Sequence, residues 1–455
     1  MGSPDEHAAT ALSTPTQRFL TRPTVSLIVL YLVFTATFAS YSVNNDGQVY
    51  LDFMRRLTGE HVTSPSTHQF GSAVFALPFF LVARVLGIVG VHSIGGAPLE
   101  QVSMVVASTV ALLVVAYLGW LLLRDLDLPA RPGLLALVVV GTPLFYYAVF
   151  QPTYKHVIDT LYVMVMVTLL LRALRRPSAW LLVGLGACLA VSIVTRTANA
   201  ALVPGMILPF LLRRQFGAAV RVIAAAAVVV VALFAISSIV AHNSVGAAFP
   251  RITVVHSSTV AASGLIVANF YICRNYTYHL TFRQCLHDRF GILPDLSAPF
   301  KMLFSLHRGL FLWTPLTALA VVGFVLLVRR RRDERDFLLG LGVAALGLWF
   351  VHFLWGDFWD GGFSFSERFL TALFPVFLLG AAELVRRRRR LALVSLSLCA
   401  VFSLVLALTF ETGYKGINRH QGVNRIVRLY TSGERTPQQL VRKLGVQARE
   451  RWLGH

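Results

Sequence analysis

The residues of this chain best suited to chemistry sit in five short stretches. "SVNNDGQVYLDFMRR" carries Asp46 and Asp52, and "FQPTYKHVID" carries Lys155 and His156 with Asp159 one helical turn on. "VTRTANA" carries Arg196, "FSLHRGLFLWTP" carries His307 and Arg308, and "WGDFWDGGFSFSERFL" carries Asp357, Asp360, Glu367 and Arg368. Arginine and lysine gathered in this way suit a phosphate, whose oxygens accept charge-assisted hydrogen bonds. A carboxylate among them suits a general base that takes the proton of an acceptor hydroxyl. Together the residue types point to transfer of a group from a lipid phosphate to an acceptor, with the phosphate leaving. "NNDG" also reads as a turn that caps the helix after it, and a residue fixed by a turn is well placed for chemistry.

The elements that must position these residues are membrane spans. The chain has 455 residues, of which 56% are hydrophobic and only 14% charged, and its mean hydropathy is +0.67. That composition is too apolar for a soluble domain and too long for a single anchor, so the fold expected is an all-α, polytopic transmembrane helical bundle. Apolar runs at 24–43, 99–123, 132–150, 157–174, 178–195, 200–212, 218–241, 309–328, 337–355, 369–385 and 391–410 give about eleven spans. Ionisable residues at membrane depth are costly, so those at the span ends read as functional by default.

Charge sets the orientation. Lys plus Arg number 41 against 21 Asp plus Glu, a formal charge of +20. The cations sit in short clusters between apolar runs and no nucleic-acid-binding motif accompanies them, so the expected partner is anionic lipid and not nucleic acid. The clusters are Arg124 and Arg131; Arg172, Arg175 and Arg176; Arg213, Arg214 and Arg221; Arg329–Arg332 with Arg335; and Arg386–Arg390. They fall in every second loop, which places that side and the N-terminal segment, 1–23, in the cytoplasm. The first apolar run lacks a small-residue cleavage pattern and is expected to be retained as the first span. The first loop (44–98), the long loop (242–308) and the loops at 151–156, 196–199 and 356–368 then face outward from the cytoplasmic (inner) membrane, as does the basic tail, 411–455.

Residues 70–91 would break the alternation if they spanned. They are read as an interfacial or re-entrant pair of short helices broken at Pro78, with Arg84 reaching the headgroups. Cys188 and Cys399 lie in apolar runs, whereas Cys273 and Cys285 share the long outer loop and are the disulfide candidates. No His/Cys cluster with zinc spacing appears, and no metal site is assigned. Trp355, Trp359 and Phe363 are suited either to packing on a sugar or prenyl chain or to an interfacial aromatic belt.

Six motifs in this order, an acid after the first span, "FGSAVFALPFF", "QPTYKHVIDTLY", "TRTANAALVPG", "LHRGLFLWTPL" and "WDGGFSFSERFL", resemble the polyprenyl-phosphate-sugar-dependent glycosyltransferases of the GT-C superfamily. That group includes protein O-mannosyltransferases, aminoarabinose transferases and mycobacterial arabinosyl- and mannosyltransferases. The likeness covers most of residues 20–410, which it implies form one catalytic domain over 24–410. It implies that Asp46 is the general base, that the first loop packs as surface helices, and that Lys155, His156, Arg196, Arg308 and Arg368 hold the donor phosphate. Asp52, His307, Asp357, Asp360 and Glu367 are candidates for an acceptor or secondary site. Some relatives hold a divalent cation near their first-loop acids, so a possible divalent cation is left open. The partners implied are a polyprenyl-phosphate-linked sugar, membrane lipids, and a glycan, lipid or protein acceptor.

Two departures matter. Many relatives have Gly where this chain has Ser366, before Glu367 and Arg368, and the large outer C-terminal domain of many members is replaced by a short basic tail. A rival class, a lipid or lipid-linked-sugar transporter or flippase, favours paired acids at mid-membrane and inverted repeats. No internal repeat is evident here, and the ionisable residues cluster toward one face, His352 excepted. A non-catalytic GT-C-like protein that only binds a lipid-linked sugar is the third reading.

Overall fold

The computed structural model describes residues 19–41, 43, 45–60, 62, 70–242, 296–353, 364–413, 422–434 and 436–453. They form an all-α architecture, with one two-stranded hairpin among the described residues. Seven helices among them are long and apolar enough to cross a membrane. In chain order the first elements are α1 (Arg22–Phe38), α2 (Asn45–Leu57), α3 (Gly71–Ile88), the hairpin β1 (Ser93–Ile94) with β2 (Ala97–Pro98), and α4 (Leu99–Asp125). Next come α5 (Pro132–Val140), α6 (Pro143–Val149), α7 (His156–Arg175), α8 (Ala179–Thr195), a 3-10 helix (Thr197–Leu202), α9 (Val203–Leu212) and α10 (Phe216–His242). After residue 295 follow α11 (Ala298–Phe304), α12 (Leu310–Trp313), α13 (Leu316–Arg330), α14 (Arg335–Phe350), a second 3-10 helix (Arg368–Leu373), α15 (Phe374–Arg387) and α16 (Arg389–Gly413). The tail adds α17 (Val423–Thr431) and α18 (Pro437–Leu453).

Prolines decide where the apolar runs stay straight. The run 132–150 is not one span: α5 and α6 meet at an 86° bend. Thr142 precedes Pro143 and is extended (φ −117°, ψ 165°), because the proline ring disfavours helix at the residue before it. Thr314 before Pro315 (φ −136°, ψ 71°) likewise interrupts the run 309–328 between α12 and α13. Counting the bent pair as one gives eight spanning units at most, with Arg22–Phe38, Ala179–Thr195 and Thr197–Leu212 as shorter apolar helices.

Residues 70–91 differ in the opposite sense. The expected break at Pro78 does not occur, and α3 runs through it as one helix. In apolar surroundings, losing one backbone hydrogen bond at proline costs less than unwinding a whole turn. Gly71 at its start abuts the backbone of Thr195, and Tyr162 donates to the Gly71 carbonyl at 3.0 Å. Toward its other end Arg84 does not stand alone at the surface: it pairs with Glu60, and with Glu100 at 3.0 Å, which also meets Arg55 at 2.6 Å.

The basic clusters gather at one end of the bundle through contacts between helix termini. Arg175 at the end of α7 pairs with Glu334 before α14 at 2.6 Å and donates to the Asp125 carbonyl at the end of α4. Arg213, after α9, meets Asp336 at 3.0 Å and the Leu174 carbonyl at 2.8 Å. Glu383 is buried in α15, where Arg330, Arg386 and Arg387 donate to it at 3.1, 2.9 and 2.8 Å. The opposite end collects the start of α7, the end of α8, the end of α14 and the second 3-10 helix.

α7 and α15 run through the core and are buried along most of their length. α14 packs on α9 and the 3-10 helix before it through glycine, alanine and proline, with the Pro209 ring and the Ala344 methyl at the crossing. A Cβ on Gly340 would come 2.5 Å from the Gly205 carbonyl oxygen, and one on Gly347 would come 2.5 Å from that of Ala201. Small residues at a crossing let backbones approach, which substitutes for the hydrophobic drive that lipid removes.

Candidate functional site

Lys155 closes the turn at 151–155 as the N-cap and His156 opens α7, so both sit at the positive end of a 20-residue helix dipole. Both are buried. The His156 ring lies 4.6 Å from the Tyr147 ring and 5.9 Å from that of Tyr154. Its two nitrogens have no hydrogen-bond partner among the described residues. Lys155, Arg196 and Arg368 all lie within electrostatic reach of that ring.

Arg196 enters where α8 ends. Its backbone is extended (φ −155°, ψ 114°), which turns the side chain inward between the 3-10 helices and α14. One terminal nitrogen donates to the Phe369 carbonyl, and the other meets His352 Nε2 at 2.7 Å. The guanidinium also lies 4.8 Å above the Phe369 ring and 4.0 Å from Asp159 Oδ2. Asn199, three residues on, donates to Asp159 and to Ser192 Oγ. Asp159 therefore balances Arg196 inside the bundle, and its Oδ2 has no hydrogen-bond partner among the described residues.

The "SFSERF" motif folds over this group. Phe365 is held at both backbone atoms by Tyr147, whose hydroxyl donates to its carbonyl and accepts from its N–H, each at 3.1 Å. Ser366 is buried with φ 50°, a left-handed conformation that a side chain adopts at a cost, and its hydroxyl has no hydrogen-bond partner among the described residues. That conformation favours glycine at this position. Glu367 is buried and caps the second 3-10 helix by accepting from Phe369 N at 3.1 Å. Arg368 is half-buried, its guanidinium 5.5 Å from the Tyr154 ring and 5.2 Å from that of Phe369.

Arg308 is buried elsewhere, 5.1 Å from the rings of Trp313 and Phe410, and those rings pack on Phe365. Trp313, Phe410, Phe365 and Tyr147 link it by successive contacts to His156, and His307 is half-buried beside it. α2 begins at Asn45, so Asp46 lies in its first turn and not in a turn ahead of it as "NNDG" suggests, and its side chain lies outside the described part. Its neighbour Gly47 is pressed against Thr153, since a Cβ there would come 3.0 Å from the Thr153 carbonyl oxygen. The first turn of α2 is thus packed on the turn that carries Lys155. Asp52 is buried, accepts from Gln48 at 2.6 Å and lies 3.9 Å from Arg55.

Asp357, Asp360, Trp355, Trp359 and Phe363 lie outside the described residues, as do Cys273 and Cys285. Among the described residues no group of three or more His, Cys, Asp or Glu could hold a metal ion. Sequence reasoning singled out neither Tyr147 nor Asn199 as a site residue, and it took His352 for a mid-span exception. The helix ends at Phe350, short of the expected 355, which brings His352 to the site end beside Arg196. A scan against protein-family models matches none of them to this chain, and a search of curated proteins finds no match.

Proposed function

We propose that the protein is an inverting glycosyltransferase of the GT-C type, which moves a sugar from a polyprenyl-phosphate donor to a hydroxyl acceptor at the outer face of the cytoplasmic membrane. Asp46 takes the proton of the acceptor hydroxyl. That oxygen bonds to the anomeric carbon as the carbon–phosphate-oxygen bond breaks, and the lipid phosphate departs with the electron pair. Lys155, His156 and Arg368 receive the growing phosphate charge, Arg196 holds the loop that presents Arg368, and Arg308 adds its field from behind the Trp313, Phe410 and Phe365 rings.

The observation that carries this reading is His156. A fully buried imidazole with both nitrogens unpartnered among the described residues, under three cations at a helix N-terminus, is arranged for an anionic group. The test incubates purified protein with radiolabelled polyprenyl-phosphate sugars and membrane extract, comparing wild type with Asp46→Asn. Transfer by the wild type, lost in the variant with donor binding retained, is the expected result. No donor bound or consumed would overturn the proposal and leave transport as the reading to test.

A further inference from the structure

Beside the cation group lies a second feature, which the proposed chemistry does not use. A cavity of about 630 Å³ opens between the end of α1, the β1–β2 hairpin, the start of α4, the end of α16 and the tail helix α18. Its volume falls within the ~300–1,000 Å³ typical of small-ligand sites. The tail forms one wall because it is tied down. Arg451 donates to the Ala39 carbonyl at 2.8 Å and lies 4.2 Å over the Tyr41 ring, and Trp452 donates to Thr37 Oγ1 at 3.0 Å.

The polar lining comes from several elements: Tyr41 after α1, Gln101 of α4, Glu411 of α16, and Gln447 and Glu450 of α18. Gly95 and Gly96 form the hairpin tip, with φ 56° and 76° as a type I′ turn requires, and beside either an added Cβ would meet open space. Carboxylates accept from hydroxyls, and amide side chains both donate and accept. Among the described lining residues two carboxylates, Glu411 and Glu450, stand against one cation, Arg451, so the lining is acidic in balance and unsuited to a phosphate. Its chemistry fits a neutral, hydroxyl-rich ligand.

The position of the cavity gives that ligand a role. Its Ser40 donates its N–H to the Phe150 carbonyl at 3.2 Å, just ahead of the turn with Lys155. Tyr146 donates to Glu411 at 3.1 Å, and its ring stacks on Phe365 at 4.7 Å. Tyr146 and Tyr147, whose rings meet at 5.2 Å, thus link the cavity's Glu411 to His156, and the chain leaving the cavity at Tyr41 leads in sequence to α2 and Asp46. We infer that this cavity binds a carbohydrate, and that the carbohydrate is the acceptor; the second half of the inference rests on the glycosyltransferase reading.

The experiment uses full-length protein in lipid nanodiscs and two radiolabelled probes, mannotriose and arabinotriose, measured by equilibrium dialysis. Gln447→Ala with Glu450→Gln, and separately Gln101→Ala, alter the cavity from two different elements, and Arg442→Ala on the exposed face of α18 is the control. Expected is binding of at least one trisaccharide by wild type and control, weakened at least about tenfold in both cavity variants, with polyprenyl-phosphate-sugar binding unchanged. Equal binding in all proteins, or none by the wild type, overturns the cavity as a carbohydrate site. Transfer assays on the same samples separate the two proposals. Normal transfer with an unchanged acceptor KM in the cavity variants sinks the acceptor role alone. Cavity-dependent trisaccharide binding without any donor consumption sinks the glycosyltransferase reading and the acceptor role that rests on it, and leaves the carbohydrate site standing.

Discussion

The hydroxyl of Tyr147 holds the backbone of Phe365 in both directions, donating to its carbonyl and accepting from its N–H at 3.1 Å each. The two residues are 218 positions apart, and the bond fixes the loop that leads to Arg368. Tyr147→Phe leaves two buried backbone groups unpartnered. We expect a loss of about 1–3 kcal/mol in unfolding free energy, read by thermal denaturation in detergent, together with weaker donor binding through the loosened Arg368. Unchanged stability would show that the loop is held by other contacts.

Arg196 and Asp159 form a buried pair whose members depend on each other. Arg196→Met strands the Asp159 carboxylate in the core and is expected to cost about 3–5 kcal/mol. Adding Asp159→Asn should recover part of that loss, whereas additive losses in the double-mutant cycle would mean the two side chains are not coupled.

Ser366 pays for its conformation and gains no hydrogen bond among the described residues. Glycine removes a left-handed strain of about 1–2 kcal/mol but returns about 0.4–1 kcal/mol through the freer unfolded chain. Ser366→Gly should therefore stabilise by about 0.5–1 kcal/mol, and Ser366→Val should destabilise. A lowered melting temperature in the glycine variant contradicts the strain argument.

Sidedness follows from which residues share an end of the bundle. On a cysteine-free background, Val441→Cys in α18 and Arg388→Cys between α15 and α16 are both solvent-exposed reporters. A membrane-impermeant maleimide applied outside intact cells should label the first and spare the second. Labelling of Arg388→Cys alone reverses the proposed orientation.

Much of the site group was legible because polar residues at the ends of apolar runs are conspicuous: Lys155, His156, Arg196 and Arg368 come together as their positions imply. The separation of Arg308 was not, since it depends on the path through the Thr314–Pro315 break. Asn199 stands three residues after Arg196 within a quoted motif, yet its role appears only when the chain turns at Arg196 and brings α7 alongside. Hydropathy marks the apolar runs at 132–150 and 70–91 but does not tell which proline bends its helix. In the first, Thr142 yields its helical conformation; in the second, Pro78 is carried within a continuous helix. The tail's end of the bundle is invisible to charge counting, because long basic segments translocate with little regard to charge.

The glycine contacts of α14 make that helix a ruler. Gly340 and Gly347 are spaced by two turns on one face, and each rests directly on the backbone of the 201–205 segment. The side chains present there, the Pro209 ring and the methyls of Ala201 and Ala344, are too rigid to flex and take up a slip. The zero of the scale is thus fixed at Gly347, and His352 is read off five residues further along, against Arg196. Shifting α14 by a single residue would turn the imidazole about 100° around the helix axis, so the length and phase of this element, and not the strength of any one bond, determine whether the Arg196 junction can close.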